Sequence, residues 1–89
     1  MKIELEFDSE AKMIYVPDGY IKNLKTFQLD FFHWMYDQDE YVTEFGGYEY
    51  DERAVLKYIN EVMLACSDEK AYLLDETDKD GKVFGRIAF

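Results

Sequence analysis

Residues 2–8, KIELEFD, alternate strictly between apolar and charged side chains, and this period of two most constrains what the chain can become. A strand points successive side chains to opposite faces, so Ile3, Leu5 and Phe7 share one face and Lys2, Glu4, Glu6 and Asp8 the other. One face must be covered while the other stays wet. A second β-type run, residues 12–16 (KMIYV), follows the polar segment SEAK and ends at Pro17, Asp18 and Gly19, which read as a turn. Together the runs predict an N-terminal hairpin.

From residue 20 to 38 the period changes. Ile21, Leu24, Phe27, Phe31 and Met35 recur every three or four residues, with Leu29, Phe32 and Tyr36 widening the stripe, as in an amphipathic helix. Asp18 and Thr26 are its candidate N-caps. Gly46 and Gly47 interrupt the pattern. A second helix is expected from Asp51, with Val55, Tyr58, Ile59, Val62 and Cys66 on one face and Asp51 and Glu52 at its positive end. Beyond the polar connector 67–70, the runs 71–74 and 83–89 flank Asp80-Gly81 and predict a C-terminal hairpin or a slightly longer loop.

The expected fold class is therefore α+β in the order ββααββ. Two β-hairpins merge into a small antiparallel sheet, and two helices pack on one face of it. Eighty-nine residues make a single domain, 1–89, with one core. A chain of that size buries about 60 to 65 % of the surface its unfolded form exposes. Apolar residues at 48 % and aromatics at 18 % exceed what a disordered acidic tail carries.

Twenty Asp and Glu against ten Lys and Arg give a net charge of −10. That field repels nucleic acid and anionic lipid and attracts cationic surfaces, so neither direct nucleic-acid nor membrane binding is expected and a basic protein partner is. Cys66 is the single cysteine, which excludes an intrachain disulfide and a thiolate metal cluster and suits a reducing cytoplasm. The first ten residues lack the apolar segment of a signal peptide, and no apolar run approaches the length of a membrane span.

The charge is concentrated. Residues 36–52, YDQDEYVTEFGGYEYDE, hold seven carboxylates and five aromatic rings in seventeen residues without one Lys or Arg. Tyr36, Tyr41, Phe45, Tyr48 and Tyr50 offer contact area, and Asp37, Asp39, Glu40, Glu44, Glu49, Asp51 and Glu52 offer carboxylates that a guanidinium can take bidentately. These twelve residues are the candidate partner-binding set. The plainer alternative is a solvated loop between two helix ends, with the rings filling the core. For an ordinary domain the plainer reading leads, and density of like charge brings the interface level with it, because mutual repulsion weakens the free fold and calls for a reason.

Other features carry less. Glu4, Glu6 and Asp8 would project from one strand face about 6.5 to 7 Å apart and could imitate a row of phosphates, but a solvated face with edge-protecting charge is the expected reading. Glu76, Asp78, Asp80 and Gly81 have calcium-loop spacing, yet the twelfth place is Ile87 where a bidentate carboxylate is needed, so a β-turn at Asp80-Gly81 is expected instead. His33 is expected on a helix flank and Cys66 in the core, with neither placed for nucleophilic catalysis. Lys22, Asn23 and Lys25 make no nucleic-acid footprint beside Asp18 and Asp30. No phosphate-cradling glycine loop exists, paired carboxylates lack a cleft on so small a chain, and no cofactor or metal is expected.

The sequence thus predicts a non-enzymatic, cytoplasmic, small acidic binder that inhibits a basic protein, in particular one with a nucleic-acid-binding surface. In size and charge alone it is similar to phage anti-CRISPR and anti-restriction inhibitors and to nuclease immunity proteins. The competing expectation is a homodimeric scaffold or regulatory module associating through a strand edge.

Overall fold

The computed structural model describes residues 1–8, 10–75 and 83–89. Its elements are β1 (Lys2–Phe7), β2 (Glu10–Tyr15), α1 (Leu24–Tyr36), a 3₁₀ turn (Asp39–Tyr41), α2 (Glu52–Tyr58), a π-helical turn (Ile59–Met63), β3 (Tyr72–Leu73) and β4 (Val83–Ala88). The fold is α+β in the expected order.

Alternation in β1 does what it predicts. Ile3 and Leu5 are fully buried, and β2 pairs antiparallel with β1 so that Ile14 lies opposite Ile3. The connection turns through Asp8 at φ 42, a left-handed conformation that aspartate tolerates better than most side chains. Sheet order among the described strands is β3-β2-β1-β4. Here the expected second hairpin is corrected: β3 and β4 occupy opposite edges, and β4 runs parallel to β1, with Leu5 beside Ile87 and Ile3 beside Gly85. The sheet is mixed because β4 buries Ile87 against the inner face of β1, where it extends the Ile3–Leu5 stripe, whereas β3 adds two residues to β2. The turn at Asp80-Gly81 and the calcium-type spacing of Glu76, Asp78 and Asp80 lie outside the described residues.

Both helices cover the inner face. Phe27, Phe31 and Met35 of α1 and Val55 and Tyr58 of α2 form one buried cluster with Ile3, Leu5, Ile14, Val16 and Ile87. The start of α1 is neither candidate cap. Asn23, extended at φ −138, takes that place and its Oδ1 accepts from the Thr26 backbone N–H at 3.0 Å. Ile21 is buried ahead of the helix rather than in it, and Leu29 and Tyr36 face solvent, so the apolar stripe is narrower than the pattern implies.

The second helix departs from its expected phase at Ile59. There the Leu64 N–H donates to the carbonyl five residues back, at 2.8 Å, widening the turn. The extra residue rotates Val62 and Cys66 outward and brings Leu64 into the core. Cys66 is therefore exposed, contrary to its predicted core position.

Candidate protein-binding surface

Segment 36–52 links α1 to α2, and its five rings divide into three roles. Tyr41 and Tyr50 are anchors: Tyr41 packs on Trp34 at 6.1 Å between centroids, and Tyr50 meets Phe31 at 5.8 Å and Phe32 and Phe89 at 6.0 Å. Burial raises the pKa of both phenols, with Glu40 adding to the effect at Tyr41 and Tyr36 and Asp8 at Tyr50. These two rings hold the ends of the loop to the core. Tyr36 and Tyr48, which lie 4.7 Å apart, form an exposed pair on its flank, with Tyr36 stacked on Phe32.

Phe45 is the tip. Between the anchors, Val42 and Tyr48 form an antiparallel bridge, the Thr43 N–H donates to Gly47 O at 2.9 Å, and the Gly46 N–H donates to Thr43 O at 3.1 Å. Gly46 stands at φ 82, the left-handed residue that closes a three-residue hairpin loop after its turn. The Thr43 Oγ1 accepts a further bond from the Gly47 N–H. This short, hydrogen-bonded hairpin leaves the Phe45 side chain 96 % exposed. Burying a phenylalanine is worth about 1.5 to 3 kcal/mol, and this ring gains none of that from its own fold.

The carboxylates also divide. Glu40 accepts from Lys57 Nζ at 2.6 Å, and Asp51 takes Arg53 through Nε at 3.2 Å and Nη2 at 2.9 Å. Those two acids are paired within the chain itself, whereas the sequence alone counts all seven as free to meet a partner's cations. The hydrogen bond from Arg53 holds the Asp51 carboxyl below the usual carboxylate range, and the bond to Glu40 raises the Lys57 pKa. Among the described residues no ion pair holds Asp37, Asp39, Glu44, Glu49 or Glu52. Lys57 and Arg53 belong to the site although they lie beyond the acidic run, because the first turns of α2 bring them back against Glu40 and Asp51. Arg53 two residues after Asp51 on a helix start was the available signal.

In the sheet, two further acids are held by the chain itself. Glu4 and Glu6 flank Arg86, whose Nε approaches them at 2.5 and 3.1 Å, because the parallel register sets Glu4 beside Arg86. Asp8 lies in the turn. The phosphate-like row of Glu4, Glu6 and Asp8 is thus broken by the chain's own guanidinium. His33 is exposed in the last turn of α1, as expected. Among the described residues no group of His, Cys, Asp and Glu is arranged to hold a metal, and no helix is long and apolar enough to cross a membrane. The chain matches no protein-family model, no curated protein and no solved structure.

Proposed function

We propose that this chain is a small acidic protein-binding inhibitor that occupies the nucleic-acid-binding surface of a basic, cytoplasmic partner. The observation that supports this most is the hairpin tip: a fully solvated Phe45 on a hydrogen-bonded scaffold, with Glu44 next to it and Glu49 four residues on, neither in an ion pair among the described residues. A preorganised apolar anchor needs little ordering on binding, and a charged surround speeds encounter. The mechanism is occupancy, as in the anti-CRISPR, anti-restriction and nuclease-immunity proteins it resembles in size and charge. Carboxylates take the Lys and Arg that otherwise hold phosphates, and the rings exclude water from those pairs. It is a binder and not a catalyst in this reading.

A tagged chain is expected to capture a basic nucleic-acid enzyme at low salt, to lose it as salt rises, and to lose it when DNA or RNA is added. Capture indifferent to nucleic acid would overturn the reading. The second reading, a homodimeric scaffold, draws on the exposed Tyr72, Leu73, Val83 and Phe84 of the two edge strands. Light scattering on a sizing column separates them: a monomer supports the inhibitor and a stable dimer the scaffold.

A further inference from the structure

The loop and α2 do not close on one another. They border an open groove of about 990 Å³, lined by Tyr41, Phe45 and Tyr50, by Glu44 and Glu49, and by Ala54 of the helix. The same groove also displays its chemistry with its own residues. Arg53 and Lys57 line it, and each is engaged by a carboxylate that lines it too, Asp51 and Glu40. Glu44 and Glu49 share that lining and hold no such cation among the described residues.

We infer that the groove takes the guanidinium side chain of an arginine carried on an extended segment of a partner protein, with its charged end on Glu44 and Glu49 and its plane against Tyr41 and Phe45. Three physical reasons select arginine. Its planar fork can bond two carboxylates at once, it is less strongly hydrated than an ammonium, and it stacks on aromatic faces. Lysine matches only the charge. An anionic ligand is opposed by the local field, and a neutral apolar one would leave the two carboxylates desolvated without a partner. The inference deepens the binder reading by naming what the partner must present, but binding of the side chain itself can be measured without that partner.

The test is an amide-shift titration of the isotope-labelled chain at low ionic strength with an acetylated, amidated Gly-Arg-Gly peptide, its lysine counterpart and its citrulline counterpart. Saturable shifts confined to residues 40–57 are expected, with arginine bound about threefold or more tighter than lysine and citrulline hardly at all. A Glu44→Gln, Glu49→Gln variant should bind arginine about tenfold more weakly. An Asp68→Asn, Glu69→Gln variant, which removes the same charge elsewhere, should bind it as the parent does. Shifts spread over the other acidic surfaces, equal affinity for arginine and lysine, or equal weakening by both variants would overturn the proposal. So would an absence of saturation. If the peptide fails while the chain still captures a basic enzyme, only the groove assignment falls. If the peptide binds as expected and no enzyme is captured, the groove stands and the inhibitor reading falls.

Discussion

The Asn60 side chain pairs with the Ala71 backbone as a strand residue would: its Oδ1 accepts from the Ala71 N–H at 2.8 Å and its Nδ2 donates to the Ala71 carbonyl at 3.0 Å. One carboxamide thus ties the π-helical turn to the residue preceding β3. Ala71 is buried, so Asn60→Ala leaves a backbone donor and acceptor unpaired and should cost about 1 to 3 kcal/mol in urea unfolding. Asn60→Asp keeps the acceptor but sets a carboxylate oxygen against a carbonyl. That variant should be less stable at pH 7 than near pH 4, where a protonated carboxyl can donate again.

Phe31 is fully buried and meets Tyr58 at 5.9 Å and Phe89 at 5.6 Å, edge to face in both cases. Phe31→Ala should cost about 3 to 5 kcal/mol, read by thermal or chemical unfolding. A loss below 1 kcal/mol would contradict the packing described.

Gly85 of β4 faces the Leu24 side chain so closely that an added Cβ collides with the Cδ1 methyl. Gly85→Ala should therefore turn the half-buried Leu24 side chain off its present rotamer, at a cost of about 1 kcal/mol. Leu24→Ala opens that space, so the double variant should be more stable than the sum of the two single losses predicts. Additive losses would show that the methyl moves aside freely.

Asp51 caps α2, accepting from the Arg53 N–H at 3.0 Å, and its pKa is lowered chiefly by the bond from the Arg53 side chain. A carboxylate with a lower pKa in the folded state stabilises above its unfolded value, near 3.9, and that contribution disappears as pH falls through the folded value. Asp51→Ala should lose about 1 kcal/mol at pH 7, with the gap from the parent narrowing below about pH 4. Asp51→Asn retains the cap and should lose less.

Phe45→Ala should leave unfolding within about 0.5 kcal/mol of the parent, since the ring touches almost nothing of its own fold. Against a captured partner, the same change should accelerate dissociation, whereas Asp39→Lys with Glu44→Lys should slow association in a salt-dependent way. Glu40 is unsuited to that comparison because it holds Lys57.

What the sequence revealed was local. The β1 alternation, the turn at Pro17 to Gly19 and the Phe27, Phe31, Met35 spacing each depend on neighbours a few residues away, and each matches the fold. The partner of β4 did not show, because an apolar run states that a strand needs cover without stating which strand it joins. Nor did the phase slip at Ile59: one widened turn reverses the exposure of Val62, Leu64 and Cys66 while leaving composition unchanged. At the candidate surface, the acids and rings are visible in the sequence as a cluster. Their division into anchors, flank and tip rests on Trp34, Phe31 and Phe89, outside the cluster, and the two neutralised carboxylates rest on Arg53 and Lys57 just beyond it.

The pairing of Leu5 with Ile87 also sets a timetable. On the ribosome, β1 and β2 are made early, yet the neighbour that completes β1 is synthesised last among the described elements. Closing so long a loop adds only logarithmically to the entropic penalty, but it delays the decisive contact and slows the folding rate. A hairpin and first helix made before β4 therefore lack the neighbour that covers the outer edge of β1 and the Ile87 side chain that completes its inner stripe.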